Sequence, residues 1–162
     1  SALVGEIALA GCGSAGTGTG MPGLSKVPSP KDIVRNARPG RSVVGWKLDR
    51  AQRAELLAKL DPKYGKVVAD HVTLAANVAR DTPLPDAVTG EAVGHIDDDR
   101  GVEALVVAIG GSTDRPDGST YHVTWSLSSD RRARESNDVL ANGPWQLLRE
   151  PIPLTLSPAR WP

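Results

Sequence analysis

Two short segments of the chain carry the same residue pattern, and each is typical of a β-strand. His71-Val72-Thr73-Leu74 and His122-Val123-Thr124-Trp125 both run histidine, apolar residue, threonine, apolar residue. Side chains alternate between the two faces of an extended chain, so each histidine shares a face with the threonine two residues later. The chain is therefore expected to fold with two strands that each present an imidazole beside a hydroxyl.

This duplication accounts for two of the three histidines in the chain. The third, His95, has Asp97 at the place where the motif has threonine, and it does not fit the pattern. Histidine gains or loses a proton near neutral pH, so two imidazoles with neighbouring hydroxyls suit a site that binds phosphate and moves protons on either side of it. The alternative is a pair of ordinary strand histidines with satisfied hydrogen bonds.

The duplication resembles the two-histidine (2H) phosphoesterase superfamily, which is defined by two His-x-Thr/Ser motifs, one from each half of a pseudo-symmetric fold. The comparison covers residues 43–127, and residues 110–127 also look like the small, RNA-repair-like branch. The interval between His71 and His122 is shorter than in the larger RNA-processing members. The resemblance implies an α+β fold with two lobes, in which antiparallel sheets face a central groove and each carries one motif.

The resemblance also implies an enzyme, a phosphodiesterase that hydrolyses 2′,3′-cyclic phosphates of RNA ends or nucleotides without a metal or other cofactor. His71 and His122 would act as general base and general acid, in an order that the sequence leaves open. Thr73 and Thr124 would donate hydrogen bonds to the non-bridging oxygens as charge builds on them. A bell-shaped pH–rate profile centred near neutrality is expected.

Two alternatives stay open at the level of sequence. One is a 2H phosphodiesterase that acts on another cyclic or pyrophosphate-linked nucleotide. The other is a catalytically silent module that binds RNA or a nucleotide in the same groove. The intact histidines and threonines of both motifs favour an enzyme over the silent module.

Substrate-binding candidates lie near the second motif and on the first predicted strand. Ser112, Thr113 and Arg115 occupy the loop that leads into the motif, where Arg115 could bind phosphate by charge-assisted hydrogen bonds or lie in a solvated turn. Trp46 and Tyr121 are candidates for contact with a base, with a place in the core as the alternative for both.

Two neighbours of the motifs are assigned no role in the site. Alternation places Trp125 on the face opposite His122, which predicts a core residue. The same rule turns Asp70 away from His71, so a catalytic dyad of these two residues is not expected.

Composition limits the class of partner. The chain has 162 residues, 40% of them hydrophobic, which suits one globular domain and a monomer. With 19 basic and 19 acidic residues the formal net charge is zero, which favours a nucleotide or a single RNA end over long nucleic acid. The scattered histidines and the single cysteine have no zinc-ligand spacing, and no apolar run approaches the roughly 20 residues of a membrane span.

The first forty residues differ in composition from the rest. We interpret residues 1–41, rich in Gly, Ala and Pro, as a flexible leader or linker, and residues 42–162 as the catalytic domain. A cytoplasmic location is expected. Leu9-Ala10-Gly11-Cys12 matches a lipoprotein cleavage box, so export is an alternative, although Glu6 interrupts the apolar stretch before it. Met21 is an alternative start.

Periodicity and capping signals predict alternating strands and short helices. Asp49 followed by Gln52 has the pattern of a capping box, which predicts a helix that runs to Leu60. Ser136 or Asn137 is expected to cap a second helix that ends near Gly143. Strands are predicted over residues 42–48, 69–78, 91–96, 102–109, 120–127 and 152–156.

Overall fold

The computed structural model describes residues 27–162, which form three helices and seven strands. Residues 1–26, with the lipoprotein-type box and Met21, lie outside the described residues. The elements in chain order are α1 Pro30–Asn36, β1 Pro39–Leu48, α2 Arg50–Lys59, β2 Lys66–Val67, β3 His71–Val78, β4 Val88–Asp97, β5 Val102–Ala108, β6 His122–Leu127, α3 Glu135–Asn142 and β7 Gln146–Trp161. An antiparallel sheet with a few helices makes this an α+β protein. No helix within residues 27–162 is long and apolar enough to cross a membrane.

The strands form one curled antiparallel sheet, in the order β2-β6-β5-β4-β7-β1-β3. Two separate sheets were expected from the sequence, but β7 pairs with both β4 and β1 and joins the two groups of strands. The curl brings β3, at one edge, into contact with β6. Just before β3, the N–H groups of Val68 and Ala69 donate to the carbonyls of Trp125 and Thr124 in β6, both at 2.9 Å. The two strands that carry the motifs therefore lie next to each other.

The chain changes its strand partner just before β3. β2 pairs with β6, whereas the carbonyl of Asp70 accepts a hydrogen bond of 3.0 Å from the last residue of β1. At the changeover Ala69 has a φ of +41°, in the left-handed region that residues with a Cβ seldom adopt. Arg53 of α2 donates to the carbonyls of Val68 (3.2 Å) and Ala69 (2.7 Å). Helix α2 thus holds the segment from which β3 and His71 start.

The core fills the inside of the curled sheet. Trp46, Val72 and Leu74 are completely buried, and Trp125 is nearly so, which confirms its predicted place in the core. The indole N–H of Trp125 donates to the carbonyl of Leu60 at 2.8 Å, so its one polar group is satisfied. The valine and leucine of the first motif therefore anchor β3 while its histidine and threonine face the other way.

The folded region starts earlier than the expected boundary at Ser42. Helix α1 is capped by Ser29, whose Oγ accepts from the N–H of Asp32 at 3.1 Å, and Ile33 is buried in the core. Strand β1 then begins at Pro39. Pro30 occupies the first turn of α1, and Lys31 and Arg35 lie on its exposed side.

The capping box predicted at α2 is only half formed. Asp49 is the N-cap, and its carboxylate accepts from the N–H of Gln52 at 3.0 Å. The side chain of Gln52 does not return to the cap, because its Oε1 accepts from the N–H of Thr155 in β7 at 2.6 Å. The residue predicted to close the cap instead ties the helix to the sheet.

The last strand is much longer than residues 152–156. Its prolines at 151, 153 and 158 argue against a long strand in the middle of a sheet, because proline cannot donate to a ladder. Strand β7, however, pairs with β4 up to Leu156 and with β1 from Leu156 onward. Only Leu156 is paired with a strand on both sides, so each proline nitrogen can face the side without a paired strand.

Candidate functional site

The two motifs line one groove between β3, β6 and the start of α3. Its volume is about 490 Å³, within the range of small-molecule sites. His71, Thr73, His122 and Thr124 all contribute to its wall. Each histidine is the first residue of its strand, so the imidazoles lie at corresponding strand ends.

His122 is the more buried of the two histidines, at 8% exposure. Its Nδ1 lies 2.8 Å from the carbonyl of Thr120, and since a carbonyl can only accept, Nδ1 carries the hydrogen. The other nitrogen, Nε2, then keeps its lone pair. Burial is the main cause that lowers the pKa of His122 to about 4, and the positive charge of Arg115 lowers it further. The hydrogen bond to the carbonyl of Thr120 opposes this shift. At neutral pH this imidazole is uncharged.

His71 has an acidic partner that alternation along the strand did not predict. Its Nδ1 lies 3.1 Å from the carboxylate of Asp70, which is also bound by Lys47 and by Arg50. The expectation that Asp70 points away from His71 is wrong, because Asp70 precedes β3 and follows the left-handed Ala69, where strand alternation does not apply.

The carboxylate of Asp70, beside His71, is ionised at neutral and mildly acidic pH. Burial raises the pKa of Asp70, but hydrogen bonds from Lys47, His71 and Arg50 outweigh it and bring the pKa to about 2. Burial lowers the pKa of His71 below its ordinary value, and the hydrogen bond and the negative charge of Asp70 offset only part of this shift. Of the two motif histidines, His71 is therefore the one whose positively charged form is stabilised by a neighbouring carboxylate.

Trp161, near the end of β7, also lines the groove and was not identified from the sequence. Its ring centroid lies 4.5 Å from that of His71 at a tilt of 57°, and the Lys47 ammonium lies 5.0 Å from the indole. Because the predicted last strand stopped at Leu156, nothing in the sequence brought this indole near β3. The aromatic residue and Asp70 together limit the positions that the His71 ring can take.

The hydroxyl of Thr124 is held by residues at the start of α3. Its Oγ1 lies 2.9 Å from the Oγ of Ser136 and 3.3 Å from the carbonyl of Ala133. Ser136 is completely buried. The sequence predicted Ser136 as a helix cap, but α3 begins at Glu135 with no side-chain cap, and the serine binds the motif threonine instead.

Arg115 is buried in the wall of the groove and is not in a solvated turn. Its guanidinium donates to the Oγ of Ser119 (2.7 Å), the carbonyl of Thr73 (3.3 Å) and the side-chain oxygen of Asn137 (2.9 Å). It thereby connects the loop before β6 with β3 and α3, and it places a fixed positive charge near both motifs.

The other predicted binding residues do not line the groove. Trp46 is completely buried, donates its indole N–H to the carbonyl of Asp86 and meets Tyr121 edge-on at 6.0 Å, so both aromatic residues belong to the core. Ser112 and Thr113 hold the loop itself: the Ser112 hydroxyl accepts from the N–H of Asp114, and the Thr113 carbonyl accepts from that of Tyr121.

The low pKa of His122 should make the protein less stable in mild acid. Between pH 6.5 and about 4, His122 is protonated in the unfolded chain but not in the folded chain. The free energy of unfolding therefore decreases as the pH falls through this range. We expect this to lower the free energy of unfolding by about 2 kcal/mol between pH 7 and pH 5. Urea unfolding at both pH values would measure it.

The matched variants for this measurement are His122→Asn and His95→Gln. The first should remove most of the loss between pH 7 and pH 5, whereas the second should keep it. An equal loss in His122→Asn and in the unchanged protein would show that His122 is protonated with its ordinary pKa.

Within residues 27–162, no group of three or more His, Cys, Asp or Glu side chains is arranged to hold a metal ion. Comparisons with protein-family models, with curated proteins and with solved structures find no match to this chain. The evidence for a function therefore comes from the geometry of the groove.

Proposed function

We propose that the protein hydrolyses 2′,3′-cyclic phosphates of RNA ends or nucleotides, with His71 and His122 as the acid–base pair. One observation carries the proposal: the histidines of the repeated motif line the same groove, and Nδ1 of each is hydrogen-bonded to the protein. This leaves Nε2 of each ring as the nitrogen that can exchange a proton with a ligand. In this proposal the protein is a monomeric cytoplasmic member of the 2H phosphoesterases.

The surroundings of the two histidines support different roles for them. His122 is buried, lies near Arg115 and is neutral, so its Nε2 suits the general base. His71 lies beside the ionised Asp70, which stabilises the imidazolium form, so it suits the general acid. Asp70 positions His71 and does not touch the reacting atoms.

The reaction then proceeds in line across phosphorus. Nε2 of His122 takes a proton from water as the oxygen of that water attacks phosphorus and forms the new P–O bond. The bond from phosphorus to one ribose oxygen breaks, and that oxygen receives the proton of His71. The product is a phosphate monoester, and neither metal nor cofactor takes part.

The motif threonines have a supporting role in this mechanism. The hydroxyls of Thr73 and Thr124 would donate to the non-bridging oxygens, where charge builds in the transition state. For Thr124 this requires its proton to turn from the Ala133 carbonyl toward the groove. Ser136, at 2.9 Å, can donate to Thr124 at the same time and keep its oxygen satisfied.

We also propose that the protein has the two equivalent halves expected of a 2H protein. One half contains β1 and β3, the other contains β5 and β6, and each half carries one His-x-Thr strand. The antiparallel pairing of both motif strands supports this equivalence. Strand β7 would then be the element that joins the halves into one sheet.

The proposed function is tested by turnover of the four nucleoside 2′,3′-cyclic monophosphates and of a short RNA with a cyclic phosphate end, all in EDTA. We expect hydrolysis of at least one of them to a monoester, with a His71→Ala/His122→Ala double variant as control for contaminating activity. Activity that appears only with an added divalent ion would contradict the mechanism. Binding without turnover would favour the silent module.

A further inference from the structure

One wall of the groove carries two arginines close to the two motifs. It consists of Arg115, Asn137 and Arg134, which we call the arginine wall, and all three residues line the groove. The side chain of Arg115 is only 8% exposed, and its bonds to the Thr73 carbonyl and to Asn137 hold the guanidinium in one position. The guanidinium of Arg115 is thus held in place by the protein itself.

The buried guanidinium has hydrogen-bond capacity to spare. Of its five N–H donors, Nε is shared by Ser119 and Asp117, and each Nη nitrogen uses one hydrogen within residues 27–162. One hydrogen remains on each Nη. Buried donors without acceptors are unfavourable, and an oxyanion in the groove would supply acceptors for them.

Arg134 adds a second cation to the same wall. It is exposed, makes no ion pair in the described part of the chain, and is tied to Asn137, whose side-chain N–H donates to its carbonyl at 3.0 Å. The nearby acid of the groove, Asp117, is already engaged by Arg115 and by the N–H and hydroxyl of Ser119. The carboxylate of Asp117 offsets the charge of Arg115, with which it forms an ion pair at 3.3 Å, and Arg134 leaves this wall with a net positive charge.

We propose that the arginine wall binds a second phosphate of the substrate. This inference rests on the proposed function, in which the histidines and the threonine hydroxyls already surround the reacting phosphate. A nucleoside 2′,3′-cyclic monophosphate has only that one phosphate and would leave the wall without an acceptor. The preferred substrate is then a cyclic phosphate that carries one more phosphate, either an internal phosphodiester of an RNA end or a 5′-phosphate.

Steady-state kinetics with three substrates tests this inference and separates the two sources. They are adenosine 2′,3′-cyclic phosphate, its 5′-phosphorylated form, and the dinucleotide UpA with a 2′,3′-cyclic phosphate end. We expect KM to be about tenfold lower for at least one substrate with a second phosphate, and that substrate identifies the source. Equal KM values for all three would overturn the inference.

The variant for this test is Arg134→Ala, with Arg132→Ala as its control. Arg132 is an exposed arginine of the same loop that does not line the groove. The ratio of KM values should fall from about tenfold to about one in Arg134→Ala and stay near tenfold in Arg132→Ala. Arg134→Lys should keep part of the preference, because the charge remains. An unchanged ratio in Arg134→Ala would contradict the inference.

A binding measurement separates the failure of this inference from the failure of the proposed function. Isothermal titration calorimetry would compare adenosine 2′-phosphate with adenosine 2′,5′-bisphosphate. We expect the bisphosphate to bind about tenfold more tightly to the unchanged protein, with the difference lost in Arg134→Ala. If the protein showed no turnover but bound the bisphosphate more tightly, the proposed enzymatic function would be wrong and the second phosphate site would stand. Equal affinities for the two ligands would show that there is no second phosphate site.

Discussion

Replacement of His122 by alanine is expected to lower kcat for 2′,3′-cyclic phosphates by about a hundredfold to ten-thousandfold, the usual contribution of general acid–base catalysis. His71→Ala should cost a similar factor. Without the base the water keeps its proton during attack, and without the acid the ribose oxygen leaves as an anion. Because the two act in one step, the double variant should lose much less than the product of the two factors.

The control for these variants is His95→Gln. His95 lies outside the groove, and its Nε2 is 2.8 Å from the buried carboxylate of Glu103, a bond that the glutamine amide can keep. This variant should keep nearly full activity. If it lost as much activity as the motif variants, the assignment of the acid–base pair to the repeated motif would be wrong.

Strand alternation is the reason that the motif residues could be predicted from the sequence. It placed the histidine and threonine of each motif on one face and Val72, Leu74 and Trp125 on the other, and the latter three are buried. It did not apply to Asp70, which lies at a change of strand partner with a left-handed residue before it. Alternation describes neighbours within a strand and carries no information beyond its ends.

Other parts of the site depend on contacts between distant segments. Trp161 reaches His71 because β7 continues past its prolines, and this requires neighbours on only one side at each proline. Ser136 has the residue type of a helix cap, and only the packing of α3 beside β6 turns its hydroxyl to Thr124. Such features follow from the tertiary arrangement, whereas the sequence pattern gives local preferences.

The start of the folded region likewise depends on tertiary contacts and not on local sequence preferences. Residues 30–36 have too little hydrophobic periodicity to stand out from a Pro-rich linker, yet Ile33 is buried against the core. A helix this short is stabilised mainly by its packing, so its sequence carries only a weak signal. The single sheet in place of two likewise depends on β7, the strand whose length the sequence underestimates.

The structure changes the expected pH optimum of the proposed reaction. The profile of kcat/KM reports the pKa values of the free enzyme. The base limb follows His122, with a pKa near 4, and the acid limb follows His71, whose pKa lies below its ordinary value of 6.5. The maximum should therefore lie on the acid side of neutrality, whereas the motif alone predicted a maximum near it.

The pH dependence of kcat/KM for a 2′,3′-cyclic phosphate, measured in EDTA, tests the paired-histidine mechanism most directly. The paired-histidine mechanism predicts a bell-shaped curve with its maximum between pH 4 and 6.5 and a fall of about tenfold per pH unit well beyond each limb. Asp70→Asn, which removes the negative charge beside His71, should move the upper limb to lower pH. A rate that rises steadily with pH and never falls would remove the general acid and contradict the role assigned to His71.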